Sequence, residues 1–148
     1  HSKDTRVIEL LHNGKIELMP WVLETLSKLK NNWAKMWISS GACREFIDDF
    51  IEYFHLDMIE ASTSSDEVLH KKPAPDVFLS TFEKLANLYG IPEKKWVIGD
   101  GKTDVVGGNA AWAQTILCYN IFYDEFLFKK CESIVKKIVY LIDIYMRI

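Results

Sequence analysis

The stretch Asp76-Val77-Phe78-Leu79-Ser80-Thr81-Phe82-Glu83-Lys84-Leu85-Ala86-Asn87-Leu88-Tyr89-Gly90, continued by Ile91-Pro92-Glu93-Lys94-Lys95-Trp96-Val97-Ile98-Gly99-Asp100, decides the fold. Phe78, Phe82, Leu85 and Tyr89 recur at helical spacing, and Gly90 stands where a left-handed residue can close the helix. Lys95-Trp96-Val97-Ile98 is a mostly apolar run. It stops at a turn carrying an acid, Gly99-Asp100-Gly101, as a buried strand does on entering a loop. Thr103 or Asp104 is placed to cap a further helix that runs to about residue 111. Helix, buried strand and helix in this order form an α/β unit.

The alternation extends both ways. Upstream, Val22, Leu23, Leu26 and Leu29 form one helical stripe over residues 21–30, and Pro20 sits where the first turn would begin. Residues 33–38 then read as a strand that ends in Ser39-Ser40-Gly41. A helix over residues 44–54, a brief strand over 58–61 and a polar loop over 62–72 follow, with Pro73 and Pro75 as punctuation. Downstream, Thr115-Ile116-Leu117-Cys118-Tyr119 reads as a strand, and Cys131, Ile134, Val135, Ile138, Leu141, Ile142 and Tyr145 mark a closing helix. This order predicts an α/β fold, a three-layer Rossmann-like core whose largely parallel sheet is covered on both faces. Working residues of such sheets collect where the strands' carboxyl ends meet the loops. Those ends carry Ser39, Ser40, Asp100 and Asp104, and Lys72 arrives on a loop between strands.

Composition removes other classes. The 148 residues hold 18 Lys+Arg against 21 Asp+Glu, a net charge of -3, with 49% hydrophobic and 26% charged residues, enough apolar material for a core and too little charge for a disordered chain. A pI near 5.8 with interspersed signs argues against nucleic acid as a partner. No run approaches the ~18 apolar residues of a bilayer span, and the first residues lack the apolar region of a signal peptide. A soluble, cytoplasmic protein with no membrane partner is expected. Cys43, Cys118 and Cys131 form no CxxC pair, and the four histidines show no metal-type spacing.

A hydroxyl, a lysine and two carboxylates at one sheet edge can hold a phosphoryl group beside a divalent cation. Ser40 and the backbone N–H groups of Ser40-Gly41-Ala42 can donate to phosphate oxygens at a helix N-terminus. Lys72 supplies a compact positive charge. Asp100 and Asp104 offer the hard oxygen ligands that Mg²⁺ prefers. Each residue also has a plain structural reading: serines as helix caps, Lys72 as a solvated loop lysine, the acids as turn and cap residues. Trp33, Trp37 and Trp96 read as core or interface, and the lysines of residues 129–137 as the wet face of the last helix.

Met19-Pro20 before a helix, a strand ending in Ser40-Gly41, then Lys72-Pro73-Ala74-Pro75-Asp76, then Val97-Ile98-Gly99-Asp100-Gly101-Lys102-Thr103-Asp104 resembles the haloacid dehalogenase superfamily, in its phosphoglycolate phosphatase and β-phosphoglucomutase branch. The likeness covers roughly residues 18–119. It implies that Ser40, with Ser39 as the neighbouring alternative, and Gly41 bind the transferring phosphoryl group. Lys72 would stabilise phosphoryl charge, and Asp100 and Asp104 would hold Mg²⁺ directly or through water. The implied activity is a phosphomonoesterase acting on a small phosphorylated metabolite through an aspartyl-phosphate.

The nucleophile of that chemistry, the first aspartate of a DxD pair ending the first strand, is not found. Val7-Ile8-Glu9-Leu10-Leu11-His12-Asn13-Gly14-Lys15 echoes the motif only with Leu11 and Asn13 at the acid positions, and leucine cannot attack phosphorus. Residues 1–17 therefore read as a remnant of a cap or linker helix, and residues 18–148 as the core, with the first strand and most of the cap absent. The chain alone is not expected to be active. A central strand's absence leaves unpaired ladder groups, so a missing segment or a second chain is expected to complete the sheet. Trp21 and Trp112 stand where the family has glycine, Gly107 and Gly108 replace alanines, and a tryptophan at a left-handed cap implies a rebuilt helix end. These departures leave a competing function open, a non-catalytic binding or interaction domain. A receiver-type signalling domain has the opposite order of acids and lysine.

Overall fold

The computed structural model describes residues 2–18, 22–99, 101–117, 140–141 and 146–147. Successive residues of β2 (Lys35–Ser39) serve opposite faces of a sheet, as the pleat requires. Met36 joins an apolar cluster fed by Leu11, Val22, Leu26, Phe46 and Phe50 from α1 (Ser2–His12), α2 (Val22–Asn31) and α3 (Arg44–Tyr53). Trp37 joins a second cluster with Val77, Phe78, Phe82 and Leu85 of α4 (Asp76–Tyr89). β4 (Trp96–Gly99) repeats the division, with Ile98 in the first cluster and Val97 in the second. Helices thus cover both faces, the three layers that the sequence predicts. The Trp37 ring meets Phe78 and Phe82 edge-on, with centroids 6.2 and 5.2 Å apart, the arrangement that ring quadrupoles favour.

β2 pairs in parallel with β3 (Ile59–Thr63), and β4 in parallel with β5 (Gln114–Leu117). A two-residue strand, β6 (Tyr140–Leu141), lies parallel to β2 on its other side, Lys35 opposite Tyr140 and Met36 opposite Leu141. It also lies against β4 and so bridges the two ladders. β1 (Glu17–Leu18) pairs antiparallel with β7 (Met146–Arg147). The closing helix expected from Cys131 to Tyr145 is corrected at Leu141, which is in a strand. The other residues of that expectation, like Met19, Pro20, Trp21, Cys118 and Tyr119, lie outside the described residues. Tyr140 and Leu141 suit either element by propensity, and their pairing with β2 makes them a strand. At Met36, β2 therefore has a paired strand on each side, Ile59 of β3 and Leu141 of β6.

Residues Val7–Lys15 do not form a strand. They lie in α1 and its exit, with Leu11 fully buried and His12 Nε2 3.0 Å from Asp49 Oδ2 of α3.

Four helices end alike, each closed by a backbone bond spanning five residues. Lys15 N–H donates to Leu10 O (2.8 Å), Ala34 to Leu29 (3.1 Å), Leu56 to Ile51 (2.9 Å) and Ala113 to Gly108 (3.0 Å). The residue just before each donor is left-handed: Gly14, Trp33, His55 and Trp112, at φ 67, 65, 53 and 63°. The expectation of a rebuilt end at Trp112 is therefore corrected. The motif is intact, with tryptophan in the glycine position of α5 (Lys102–Ala110) and its side chain 86% exposed. Two satisfied carbonyls and the turn into β5 offset a left-handed strain of about 1–2 kcal/mol. Gly107 and Gly108 are likewise more than a helix penalty. A methyl at Gly107 would lie 2.8 Å from Phe78 Cε2, and one at Gly108 2.7 Å from Thr115 Cγ2, so α5 packs closer to α4 and the sheet than alanine permits. Trp112→Gly is expected to raise the urea-unfolding free energy by about 1 kcal/mol. A loss instead would mean that the exposed ring contributes more than its backbone costs.

Candidate active site

The carboxyl end of β2 turns outward at Ser39 and Ser40. Ser39 is fully buried, and its Oγ lies 2.7 Å from Thr81 Oγ1 and 3.2 Å from Val77 O. That hydroxyl faces the interior under α4, so of the two serines only Ser40 is placed for a ligand. Ser40 is half-buried, accepts from Ala42 N–H (3.1 Å) and donates its own N–H to Thr63 O (3.1 Å). The Ser40 hydroxyl proton stays available because the Ala42 bond uses only its lone pair. A Cβ at Gly41 would meet nothing within 4 Å, so the loop is open there.

Lys72 reaches this strand end from the loop before α4. Its Nζ donates to Ser39 O (2.8 Å) and to Asp104 Oδ1 (2.6 Å), and lies 4.9 Å from the Phe78 ring centroid. Lys72 and Asp104 side chains are 13% and 8% exposed, so the pair is nearly dry. The segment Lys72-Pro73-Ala74-Pro75-Asp76 explains the delivery. Ala74 N–H closes a turn on Lys71 O (3.0 Å), and Pro75 O accepts the first bonds of α4, from Phe78 and Leu79. Asp76, in the first turn of α4, accepts from His70 N–H and faces His70 Nδ1, both at 3.1 Å. The acid thereby anchors the loop beside Lys72 and complements the helix N-terminus.

Asp104 is the third residue of α5, not its cap. The structure corrects that expectation: Gly101 is the capping residue, and Asp104 Oδ2 accepts its N–H at 3.3 Å. One carboxylate thus closes the helix start with one oxygen and holds Lys72 with the other. Gly99 makes this possible, since a Cβ there would lie 2.2 Å from Asp104 Cβ. Asp100 lies outside the described residues, and among the described residues no three acids, histidines or cysteines cluster as a metal site. Lys72 and Asp104 thus meet at the carbonyl of Ser39, the residue before Ser40.

Sequence reading passed over a second cluster beside this edge. It is built on the 3₁₀ turn Ser65–Glu67. Glu67 Oε2 accepts from Ser64 N–H (2.6 Å) and from Arg44 Nη2, and Oε1 from Lys84 Nζ (3.0 Å). Burial opposes ionisation of Glu67, but bonds from the Ser64 backbone, Arg44, Lys84 and the Ser64 hydroxyl outweigh it and draw its pKa down to about 2. Asp66 is also lowered, by the Ser64 hydroxyl and by Arg44 N–H at the start of α3. The spacing Ser64-x-x-Glu67, a capping box, was the available signal.

The described residues thus form a parallel α/β/α core with a nearly dry lysine–carboxylate pair and an open serine loop at the strands' carboxyl edge, where the working residues of such folds collect. The chain belongs to the haloacid dehalogenase-like hydrolase family, whose sequence profile matches residues 3–118. It is 27% identical over 121 residues to protein CbbY of Rhodobacter capsulatus, covering 78% of this chain and 52% of that protein. To pyrophosphatase PpaX of Bacillus mycoides it is 28% identical over 106 residues, covering 71% and 48%. Its fold superimposes on the crystal structure of CbbY from Rhodobacter sphaeroides in complex with phosphate, with a TM-score of 0.70 at 17% identity, over 83% of this chain and 55% of that one. The chain spans about half the length of the curated relatives it matches. Among the described residues no helix is long and apolar enough to cross a membrane.

Lys72→Met should cost about 3 kcal/mol in urea unfolding, because it strands a buried carboxylate. Adding Asp104→Leu should recover most of that loss, a non-additivity read by a double-mutant cycle. For Glu67 the sign is that of a depressed carboxylate. Its contribution is complete above the unfolded value of 4.5 and is lost as pH falls through about 2. Unfolding free energy should therefore rise with pH across that window, and Glu67→Gln should flatten the rise.

Proposed function

We propose that this chain is the phosphoryl-binding core of a Mg²⁺-dependent phosphatase acting on a small phosphorylated metabolite, through an aspartyl-phosphate whose nucleophile lies outside this sequence. The carrying observation is the Lys72 ammonium held between Ser39 O and Asp104 at the lip of the Ser40 loop. Family membership supports phosphate-ester chemistry, as do a pyrophosphatase among the relatives and the phosphate-bound neighbour.

Ser40 donates its hydroxyl proton to a phosphoryl oxygen, and the open backbone at Gly41 lets that oxygen approach. Lys72 balances charge that builds on the phosphoryl oxygens, and Ser39 O and Asp104 keep its ammonium aimed at the strand end. Asp100 and Asp104 would hold Mg²⁺. The donor set fits, since among the described residues each Asp104 oxygen accepts one protein bond and keeps a lone pair. Bound there, Mg²⁺ supplies charge neutralisation for the transferring group. The nucleophilic aspartate comes from a segment or second chain that adds to the sheet.

A second reading, a non-catalytic phosphoryl-binding or interaction domain, is favoured by Leu11, which stands at an acid position of the DxD echo and is buried in α1. Hydrolysis of phosphate monoesters and pyrophosphate, with Mg²⁺, by the longest natural polypeptide containing these residues separates the two. The enzyme reading expects turnover that falls by about 100-fold or more in Lys72→Ala and in Asp100→Asn. Undiminished turnover in both variants, or none in the whole polypeptide, rejects it.

A further inference from the structure

Two loops must keep a fixed spacing for the proposed site to work. One is the Ser40–Ala42 loop and the other is the 64–72 loop that ends in Lys72. The turn at residues 64–67 is bonded to the first of these loops and begins the second. Ser65 N–H donates to Ala42 O (3.0 Å), and Asp66 accepts Arg44 N–H (3.2 Å), so the turn is stitched to the residues just after Ser40. Glu67 then fixes the turn. It binds Arg44 of α3, Lys84 of α4 and the Ser64 N–H at once. Lys84 also donates to Ser62 O (2.7 Å) and Thr63 Oγ1 (3.1 Å), and Arg44 to Ser62 O (2.9 Å) and Ser62 Oγ (2.7 Å). From Thr63 a buried hydroxyl chain runs through Thr81 to Ser39, whose carbonyl holds Lys72.

We propose that Glu67 is a positioning residue, the tie that sets the distance between the Ser40 loop and Lys72. The inference rests on the phosphoryl-binding reading of those two groups. Glu67 itself touches no ligand in this arrangement. It acts because two cations from different helices and one backbone N–H converge on one carboxylate, an arrangement that neither an amide nor a shorter acid reproduces. Surface ion pairs taken singly contribute little, so the effect is expected from the network and from the loop it closes.

The test uses the full chain and Glu67→Gln. Lys71 is exposed, and the bond after Lys72 precedes a proline, so trypsin reports opening of the 64–72 loop by cutting after Lys71. Cleavage after Lys30, in α2, reports general unfolding. Cleavage after Lys71 should speed up by about tenfold or more in Glu67→Gln with Lys30 unchanged, because cutting follows the open population. The dissociation constant for inorganic phosphate with Mg²⁺, followed by ³¹P NMR, should weaken by a similar factor. If Glu67→Gln fails to fold, Lys84→Met, which removes one partner of the same carboxylate, carries the same expectations. Wild-type cleavage after Lys71 overturns the proposal, and so does an equal rise at Lys30. If phosphate binds neither form while the loop opens selectively, the phosphoryl reading fails and the tie between the loops stands.

Discussion

A nearly dry ion pair between Lys72 and Asp104 constrains much of what surrounds it. Two charges taken out of water are unfavourable unless each finds several partners, and here each does. Lys72 has Ser39 O and the Phe78 face besides its carboxylate, and Asp104 has the Gly101 N–H. Those partners come from β2, α4 and the start of α5, so satisfying the pair fixes three elements relative to one another. The pair thereby sits on strands that divide their side chains between the two apolar clusters.

The same junction explains which glycines are fixed. Gly99 and Gly108 are tight because β4 must pass close to α5, and Gly107 because α5 must pass close to Phe78 and the Pro73–Ala74 backbone. A helix interior with two adjacent glycines is poor by propensity alone. Packing overrides the propensity, and α5 sits low on the sheet so that its third residue can reach Lys72.

Much of this was legible in the residues. The α4 stripe, the Gly90 stop, the apolar run before Gly99 and the serines after β2 all follow from periodicity and turn chemistry, and the structure places them accordingly. Ser39 was ambiguous because adjacent residues of a strand differ only in the face they take, and that needs a partner such as Thr81 to settle. Asp104 was read as a possible cap although it lies three residues beyond the cap, because an acid satisfies a helix N-terminus equally from either position. Trp112 was misjudged because single-residue strain is visible in sequence while the carbonyl bonds that offset it are not. Glu67 escaped notice since its partners lie 23 and 17 positions away along the chain. β6 could not be foreseen, because helical spacing in an apolar run does not report an open strand edge.

Gly99 carries a consequence for how such a sequence can drift. Glycine and alanine codons differ by one base, so this replacement recurs in any lineage, and at most exposed positions it passes unnoticed. At this position an added methyl would land on the carbon skeleton of Asp104. The acid, and the ammonium that it steadies, would have to move together. A residue with no side chain thus fixes, by the volume that it leaves to others, where that acid and its ammonium can stand.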